Sequence, residues 1–510
     1  MTDVSKEDLT HCTQLLERIA DDLTILTQLS EEERIRLVVA AGRVIRPERA
    51  QVKKLRRANI RDRKEEQRSL DRTARAETTI RKLRMDSVYV APPRLLLAEE
   101  AGTAQELLHP KACYVCKAEF RQVHPFYDSM CPPCAALNYD KRFQTARLDG
   151  RVALITGSRL KIGYQAALML LRAGAQVIVT TRFPQDAALR YIREADFPDW
   201  ADRLHVHGLD LRHSPSVEAF TLFVDRMYSR LDFLINNAAQ TVRRPPGFYR
   251  HLLEVEERPY YDLPIEAQAL LRNHEAFKAG LNREPGTPAD DGSAWVAEWH
   301  HGKLLAAPGM TASAQLSQIP YACDDTSLDP ALFPEGRLDA DLQQVDLRRM
   351  NSWRMTLADV PTDELLEVQL VNAIAPFILC SKLKPLMLRT PGNDKHVVNV
   401  SAMEGKFSRH TKTDKHPHTN MAKAALNMMT LTSARDYARF GIYMNAVDTG
   451  WVTDEDPAEI SQRKQDEFDF QPPLDIVDGA ARVVDPIFAG ILTGQHTWGK
   501  FLKDYMPTDW

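Results

Sequence analysis

The sequence predicts an α/β protein in which a doubly wound parallel sheet, covered by helices on both faces, follows a helical arm and a small four-cysteine knuckle. Three observations carry this. From about residue 148 onward, short runs rich in Val and Ile alternate with helix-length segments, the pattern of strands buried on both sides. Between residues 109 and 137, two Cys-x-x-Cys pairs stand fourteen residues apart. Residues 1–95 show helical spacing throughout and become dominated by charge.

The chain has 510 residues, 44% hydrophobic and 27% charged, with a formal net charge of -4, which allows more than one core. So small a net charge argues against the whole molecule being a ligand for nucleic acid or anionic membrane. No basic and apolar leader opens the sequence, and apolar runs such as YQAALMLL are too short to cross a bilayer, so a soluble, cytoplasmic protein is expected.

In the arm, HCTQLLERIADDLTILTQL spaces its apolar residues as an amphipathic helix does, and Pro47 opens a second helix or breaks the first. From Glu31 to Met85 there are 18 Lys or Arg against 9 Asp or Glu. A helix this polar is solvent-exposed, paired with a partner or a second copy, or laid on a negative surface. Nucleic-acid contact is disfavoured, because the basic run has no aromatic residues to stack on bases.

Residues 96–147 hold the knuckle. Cys113 and Cys116 form one pair, Cys131 and Cys134 the other. Two such turns present four thiolates tetrahedrally, which suits structural zinc; iron is the rival occupant of the same cage. With four thiolates no coordination position is left for water, so a catalytic zinc is not expected. His109 and His124 are rival ligands by proximity, and Cys12, Cys323 and Cys380 are expected to be ordinary small apolar residues. The knuckle either binds a partner or clamps the helices to the next domain.

Residues 148–240 give strand, Gly turn, helix and further strands in RVALITGSRLKIGYQAALMLLRAGAQVIVTTRF, HVHGLDL and FLINNAA. Residues 241–365 are too long for a plain loop and are expected to form an inserted lid, substrate pocket or interaction surface. Residues 366–510 resume the alternation with PTDELLEVQLVNAIAPFILCSKLKPLML, HVVNVSAM, the helix HPHTNMAKAALNMMTLTSARDYARF and IYMNAVDTG. The turn ITGSRLKIG follows a strand and opens a helix, which places backbone N–H groups under a phosphate.

These motifs resemble the short-chain dehydrogenase/reductase family, from about 150 to 240 and from 365 to 500. The family's TGxxxGxG is matched by Thr156, Gly157 and Gly163, with Ser158, Arg159 and Ile162 between them and Lys161 where the middle Gly is expected. Asp210 and Leu211 match its adenine-contacting position, and Asn236, Asn237 and Ala238 match NNAG, with Ala239 for the Gly. Asn372 matches the helix asparagine and Lys423 the lysine of YxxxK. The resemblance implies a Rossmann-like domain and an NADP(H)-dependent oxidoreductase acting on a carbonyl, alcohol or imine. VIVTTRF lacks an acid for a free ribose diol, whereas Thr181 and Arg182 suit a 2′-phosphate; NAD is the alternative.

In the family a tyrosine transfers the proton, the lysine holds the nicotinamide ribose, and a serine orients the substrate oxygen. Here Thr419 stands for the tyrosine, and Ala402 stands at the serine position just after Ser401. Asn372, Ser401, Thr419 and Lys423 are therefore the catalytic candidates. Threonine is a poor acid, which opens His410, His416, His418, Asp448, Tyr260 and Tyr261 as replacements. Asp448 and Thr449 precede Gly450 where the family has Pro-Gly. The alternative to an enzyme is a dinucleotide-binding scaffold or sensor without turnover; a third reading keeps the fold but admits no nucleotide.

Overall fold

The computed structural model describes residues 4–94, 105–281, 308–320, 329–409 and 411–510; Cys323 and His410 lie outside them. Residues 1–72 form one compact unit and 73–510 another. In the first, helices α1 (Lys6–Asp21) and α2 (Glu31–Ile45) each begin with a reciprocal capping box, Ser5 with Asp8 and Ser30 with Glu33. The long α3 (Arg49–Ala76) follows, and none of the three helices buries a residue.

The second unit begins with α4 (Thr79–Leu83), then the antiparallel pair β1 (Glu106–Ala112) and β2 (Glu119–Gln122), and α5 (Pro132–Arg142). The sheet follows as β3 (Val152–Thr156), α6 (Lys161–Arg172), β4 (Gln176–Thr181), α7 (Pro184–Tyr191), β5 (Leu204–Gly208), α8 (Ser214–Met227) and β6 (Phe233–Asn236). The insert contributes α9 (Pro246–Glu256), α10 (Ile265–Leu281) and α11 (Pro308–Thr311). The chain then returns through α12 (Thr362–Gln369), a π-turn at Leu370–Ile374, and α13 (Ala375–Leu388). It ends with β7 (Lys395–Ser401), α14 (Pro417–Ala438), β8 (Ile442–Asp448), α15 (Ala458–Phe468), α16 (Ile476–Thr493), β9 (Phe501–Lys503) and β10 (Met506–Thr508).

The strand order is β10-β9-β8-β7-β6-β3-β4-β5, parallel except for β10. The order reverses between β3 and β6, which opens a crevice at their carboxyl ends. Along β3 the side chains alternate between two cores: Ala153 and Ile155 meet α6 and α16, while Val152 and Leu154 face α8 and α13. Both faces are thus dry, which explains the unbroken apolar runs.

Two features depart from the sequence reading. The three-residue strands β9 and β10 are too short to give a periodic signal. The continuous helical run Thr362–Leu388 is long and apolar enough to cross a bilayer, contrary to the expectation that no such run exists, but Leu379, Leu383 and Leu386 bury it against the sheet. It is apolar because it is a core helix. The described insert also packs on the sheet: Ala267, Leu270 and Leu271 of α10 enter the first core, and Phe248 and Tyr249 of α9 share an apolar cluster with Phe183.

Candidate functional site

The crevice between β3 and β6 is a cleft of about 440 Å³. Its floor is the Gly turn. Gly157 has φ +70°, and a Cβ there would lie 2.8 Å from the Ala238 Cα. At Gly163 a Cβ would come within 2.3 Å of the Gly157 carbonyl and 2.4 Å of Asn237 Nδ2. Asn237 explains this closeness: its amide donates to the carbonyls of Thr156 and Gly157, both at 3.0 Å. The Thr156 hydroxyl in turn accepts from Asn237 N at 3.1 Å and Ala238 N at 3.0 Å. Thr156 therefore acts from beneath the cleft rather than lining it, as does buried Ser158, which donates to the Ile155 carbonyl.

Lys161 takes a left-handed backbone conformation, φ +57°, the region that glycine adopts most readily. Its side chain leaves the turn toward Asp341, 3.8 Å away. The phosphate cradle is therefore intact. Leu160, preceding α6, offers no side-chain acceptor to that helix's first N–H groups, as at an anion-binding helix N-terminus. Gly157, Gly163, Asn237 and the uncapped helix fit a dinucleotide diphosphate.

At one end, Thr181, Arg182, Asp210 and Leu211, the residues expected to meet adenosine, all line the cleft, together with Tyr249 of the insert. The Arg182 guanidinium lies 4.5 Å from the Tyr249 ring centre and donates to its hydroxyl at 2.7 Å. Among the described residues it pairs with no carboxylate. Arg159 is different: it lines the cleft but is buried in an ion pair with Asp186 at 2.8 Å, so its charge is already committed. Burial raises the Asp210 carboxyl, but Arg212, 2.6 Å away, outweighs burial and holds it below the usual range. Ile162 and Ala238 complete the walls.

The opposite end is lined by Ser401, Ala402, Lys423, Thr241, Thr449, Thr453 and Glu455. Lys423 is buried, donates to the Val400 carbonyl at 2.8 Å, and is pushed down to about 8 by burial, which Glu404 partly opposes. Ser401 also reaches this end, with its hydroxyl 2.6 Å from Asn427 Oδ1. Thr419 does not line the cleft; it is buried, and its hydroxyl faces the Thr241 carbonyl at 3.5 Å. Asn372 is likewise off the cleft, accepting from Gln240 N at 2.7 Å and donating to Gln240 O at 2.9 Å.

The proposed substitutes for the missing phenol do not converge here. His416 stacks on Trp353 with ring centres 3.9 Å apart. His418 is buried beside Glu364, and burial lowers it to about 4, leaving it neutral. Asp448 is buried below the cleft, accepting from Met403 N at 3.2 Å. Tyr260 donates to the Gln268 carbonyl on its own helix-lined side, and Tyr261 is 83% exposed. Apart from exposed Tyr261, each is held by local packing that a linear spacing does not reveal. Sequence reasoning missed Tyr249, Thr241, Gln343 and Glu455, because no motif fixes where an insert or a long loop folds back.

In the knuckle, the sulfur atoms of Cys113, Cys116, Cys131 and Cys134 all lie within 4.8 Å of one another. Burial opposes the Cys113 thiolate, yet N–H donors from Cys131, Cys116 and Val115 outweigh it and bring the thiol to about 7. The four sulfurs fit a tetrahedral zinc. His124 is not in this group, and its Nδ1 accepts from Phe126 N at 3.0 Å. The knuckle is joined to the sheet domain: Arg142 of α5 is 2.6 Å from Asp475 and 2.9 Å from Asp478 at the start of α16, and Tyr127 donates to Asp478.

Residues 151–253 match the family model described as short chain dehydrogenase, and residues 337–475 the one described as Enoyl-(Acyl carrier protein) reductase. An uncharacterized protein of Acanthamoeba polyphaga mimivirus is 30% identical over 391 residues, covering 74% of this chain and 71% of that protein. The (-)-isopiperitenone reductase of Mentha piperita is 24% identical over 307 residues, 59% of this chain and 84% of that one. Among solved structures, the NADPH-bound carbonyl reductase from chicken fatty liver aligns at 16% identity with a TM-score of 0.41, over 72% of this chain and 98% of that one. With its phosphate turn, strand order, helix asparagine and lysine in place, the chain belongs to the short-chain dehydrogenase/reductase family.

Proposed function

We propose that the chain is an NADP(H)-dependent oxidoreductase that reduces a small carbonyl or imine, or oxidises the corresponding alcohol or amine, with Lys423 holding the proton that a tyrosine holds elsewhere in the family. One observation carries this. At the reactive end Lys423 lines the cleft, whereas Thr419 is turned away from it. A buried amine of lowered pKa can give a proton near neutral pH, which a threonine hydroxyl cannot.

NADPH, when bound, supplies the hydride. The Gly157 turn and α6 hold the diphosphate. Arg182, kept in place by Tyr249 and free of a carboxylate among the described residues, supports the 2′-phosphate preference. Lys423 gives its Nζ proton to the substrate heteroatom as the carbon accepts hydride, and regains one from solvent. Ser401 lines the same end; its one proton is given to Asn427 Oδ1, so it can orient a substrate hydroxyl or amine as an acceptor. The names of the peppermint relative and of the second family model, both reductases, favour the reducing direction. Four unbridged cysteines held together for a metal suit a reducing compartment, and the cytoplasm is the inferred location.

Buried Thr419, and an Ala402 without a hydroxyl in the cleft wall, favour a second reading, a dinucleotide-binding scaffold without turnover. Titration with NADPH and NADH, followed by NADPH oxidation against aldehydes, ketones and cyclic imines, separates the two. Tighter NADPH binding with turnover that Lys423→Arg abolishes is expected. Binding without turnover across the panel would leave the scaffold, and tighter NADH binding would refute the phosphate assignment.

A further inference from the structure

The metal-holding turn reaches the cleft from outside. Tyr114 lies inside the first Cys-x-x-Cys pair, and its hydroxyl accepts a hydrogen bond from Trp451 N at 2.9 Å. Trp451 follows Gly450, whose φ is +77°; a Cβ there would stand 2.4 Å from Leu474 Cδ1 and 3.1 Å from the Tyr114 hydroxyl. The main chain thus passes through a slot between Leu474 and Tyr114 that only glycine fits. On either side of the slot, Thr449 and Thr453 line the reactive end of the cleft.

The turn that carries Tyr114 is itself fixed by the knuckle. Tyr114 N donates to the Ser129 carbonyl at 2.8 Å, and Cys113 N to the Ala118 carbonyl at 2.8 Å. The apolar cluster containing Cys113 and Cys131 also takes in Val452 and Leu474, with Ile162 of the phosphate turn at its margin. One small body therefore touches the outer side of the cleft at two places. Only one of those contacts is a directed hydrogen bond to the loop, and it comes from a side chain between two sulfur ligands.

We propose that Tyr114 is a positioning residue for the cofactor: through its hydroxyl, the metal-bound turn holds residues 449–453 in place against the nicotinamide end of the cleft. This rests on the reading that the cleft takes NADP(H). It implies that metal occupancy, remote from the chemistry, sets how well the nicotinamide half is held, while the adenine half, walled by Arg182 and Tyr249, is indifferent to it.

Full-length, zinc-loaded Tyr114→Phe keeps the ring and loses the acceptor. Titrating it with NADPH and with adenosine 2′,5′-bisphosphate, which fills only the adenine end, should show NADPH weakened about tenfold, the worth of one hydrogen bond, and the bisphosphate unchanged. Hydrogen exchange at the Trp451 amide should quicken while zinc content stays at the wild-type level. Equal weakening of both ligands, or unaltered Trp451 exchange, would overturn the proposal. Failure of the wild type to bind NADPH would instead sink the cofactor reading, and the exchange measurement would still decide the role of Tyr114. If Tyr114→Phe does not fold, removing zinc from the wild type with a chelator replaces it: faster exchange over 449–453 supports the coupling, and unchanged exchange overturns it.

Discussion

Lys423→Met should make the protein more stable at neutral pH while removing its function. The wild-type ammonium is buried, and its pKa falls from 10.5 to about 8. Keeping it charged at pH 7 therefore costs about 3 kcal/mol relative to the unfolded chain. Methionine fills a similar volume without charge but gives up the bond to the Val400 carbonyl, worth about 1 kcal/mol. The net gain at pH 7 is about 2 kcal/mol. The pH dependence has a definite sign. Below pH 8 lysine is protonated in both states and the penalty is constant. Between about 8 and 10.5 the unfolded chain binds more protons, so wild-type stability rises with pH and the penalty disappears. The two urea-unfolding curves should accordingly cross between about pH 9 and 10, with wild type the more stable above the crossing. A stability difference that stays flat from pH 6 to 10 would show that the amine is not buried as described, and the proton-holding role would fall with it.

Other expectations follow from the same geometry. Gly163→Ala places a methyl where 2.3 Å separates it from the Gly157 carbonyl and should break the Asn237 bridge, costing about 2–3 kcal/mol in thermal unfolding and eliminating NADPH binding by fluorescence titration. Arg182→Ala should weaken NADPH by about 10- to 100-fold and leave NADH unchanged, since only the former carries the phosphate; equal losses would disprove the contact. Cys113→Ser should abolish zinc retention on gel filtration and reduce near-ultraviolet dichroism from the packed Phe126 and Tyr127 rings, while the far-ultraviolet signal of the sheet domain persists.

The layered sheet was legible because its strands are buried on both faces and so appear as Val- and Ile-rich runs, as β3 and β7 show. The phosphate turn was legible because steric closeness at Gly157 and Gly163 leaves no other residue. Lys161 could be judged only from its φ angle, since a residue letter does not say whether the backbone has moved. The committed state of Arg159 depends on Asp186, and that of Asp210 on Arg212, so neither side chain's availability can be read from its own motif. For Tyr249 and Glu455, position in the cleft comes from tertiary folding of an insert and a loop, where no periodicity applies.

The paired bonds between Asn372 and Gln240 have a consequence for ancestry. They join the point where the chain leaves the sheet to the point where it comes back, so the excursion between them begins and ends at a fixed gap. Closure entropy grows only slowly with length, by about 0.6 kcal/mol per doubling. The segment therefore behaves as a cassette whose length can change at little cost, provided that Ala267, Leu270 and Leu271 keep their places in the core it shares with the sheet. Because Arg244, Tyr249 and Gln343 within it line the cleft, a lineage can retune ligand choice by changing the cassette alone.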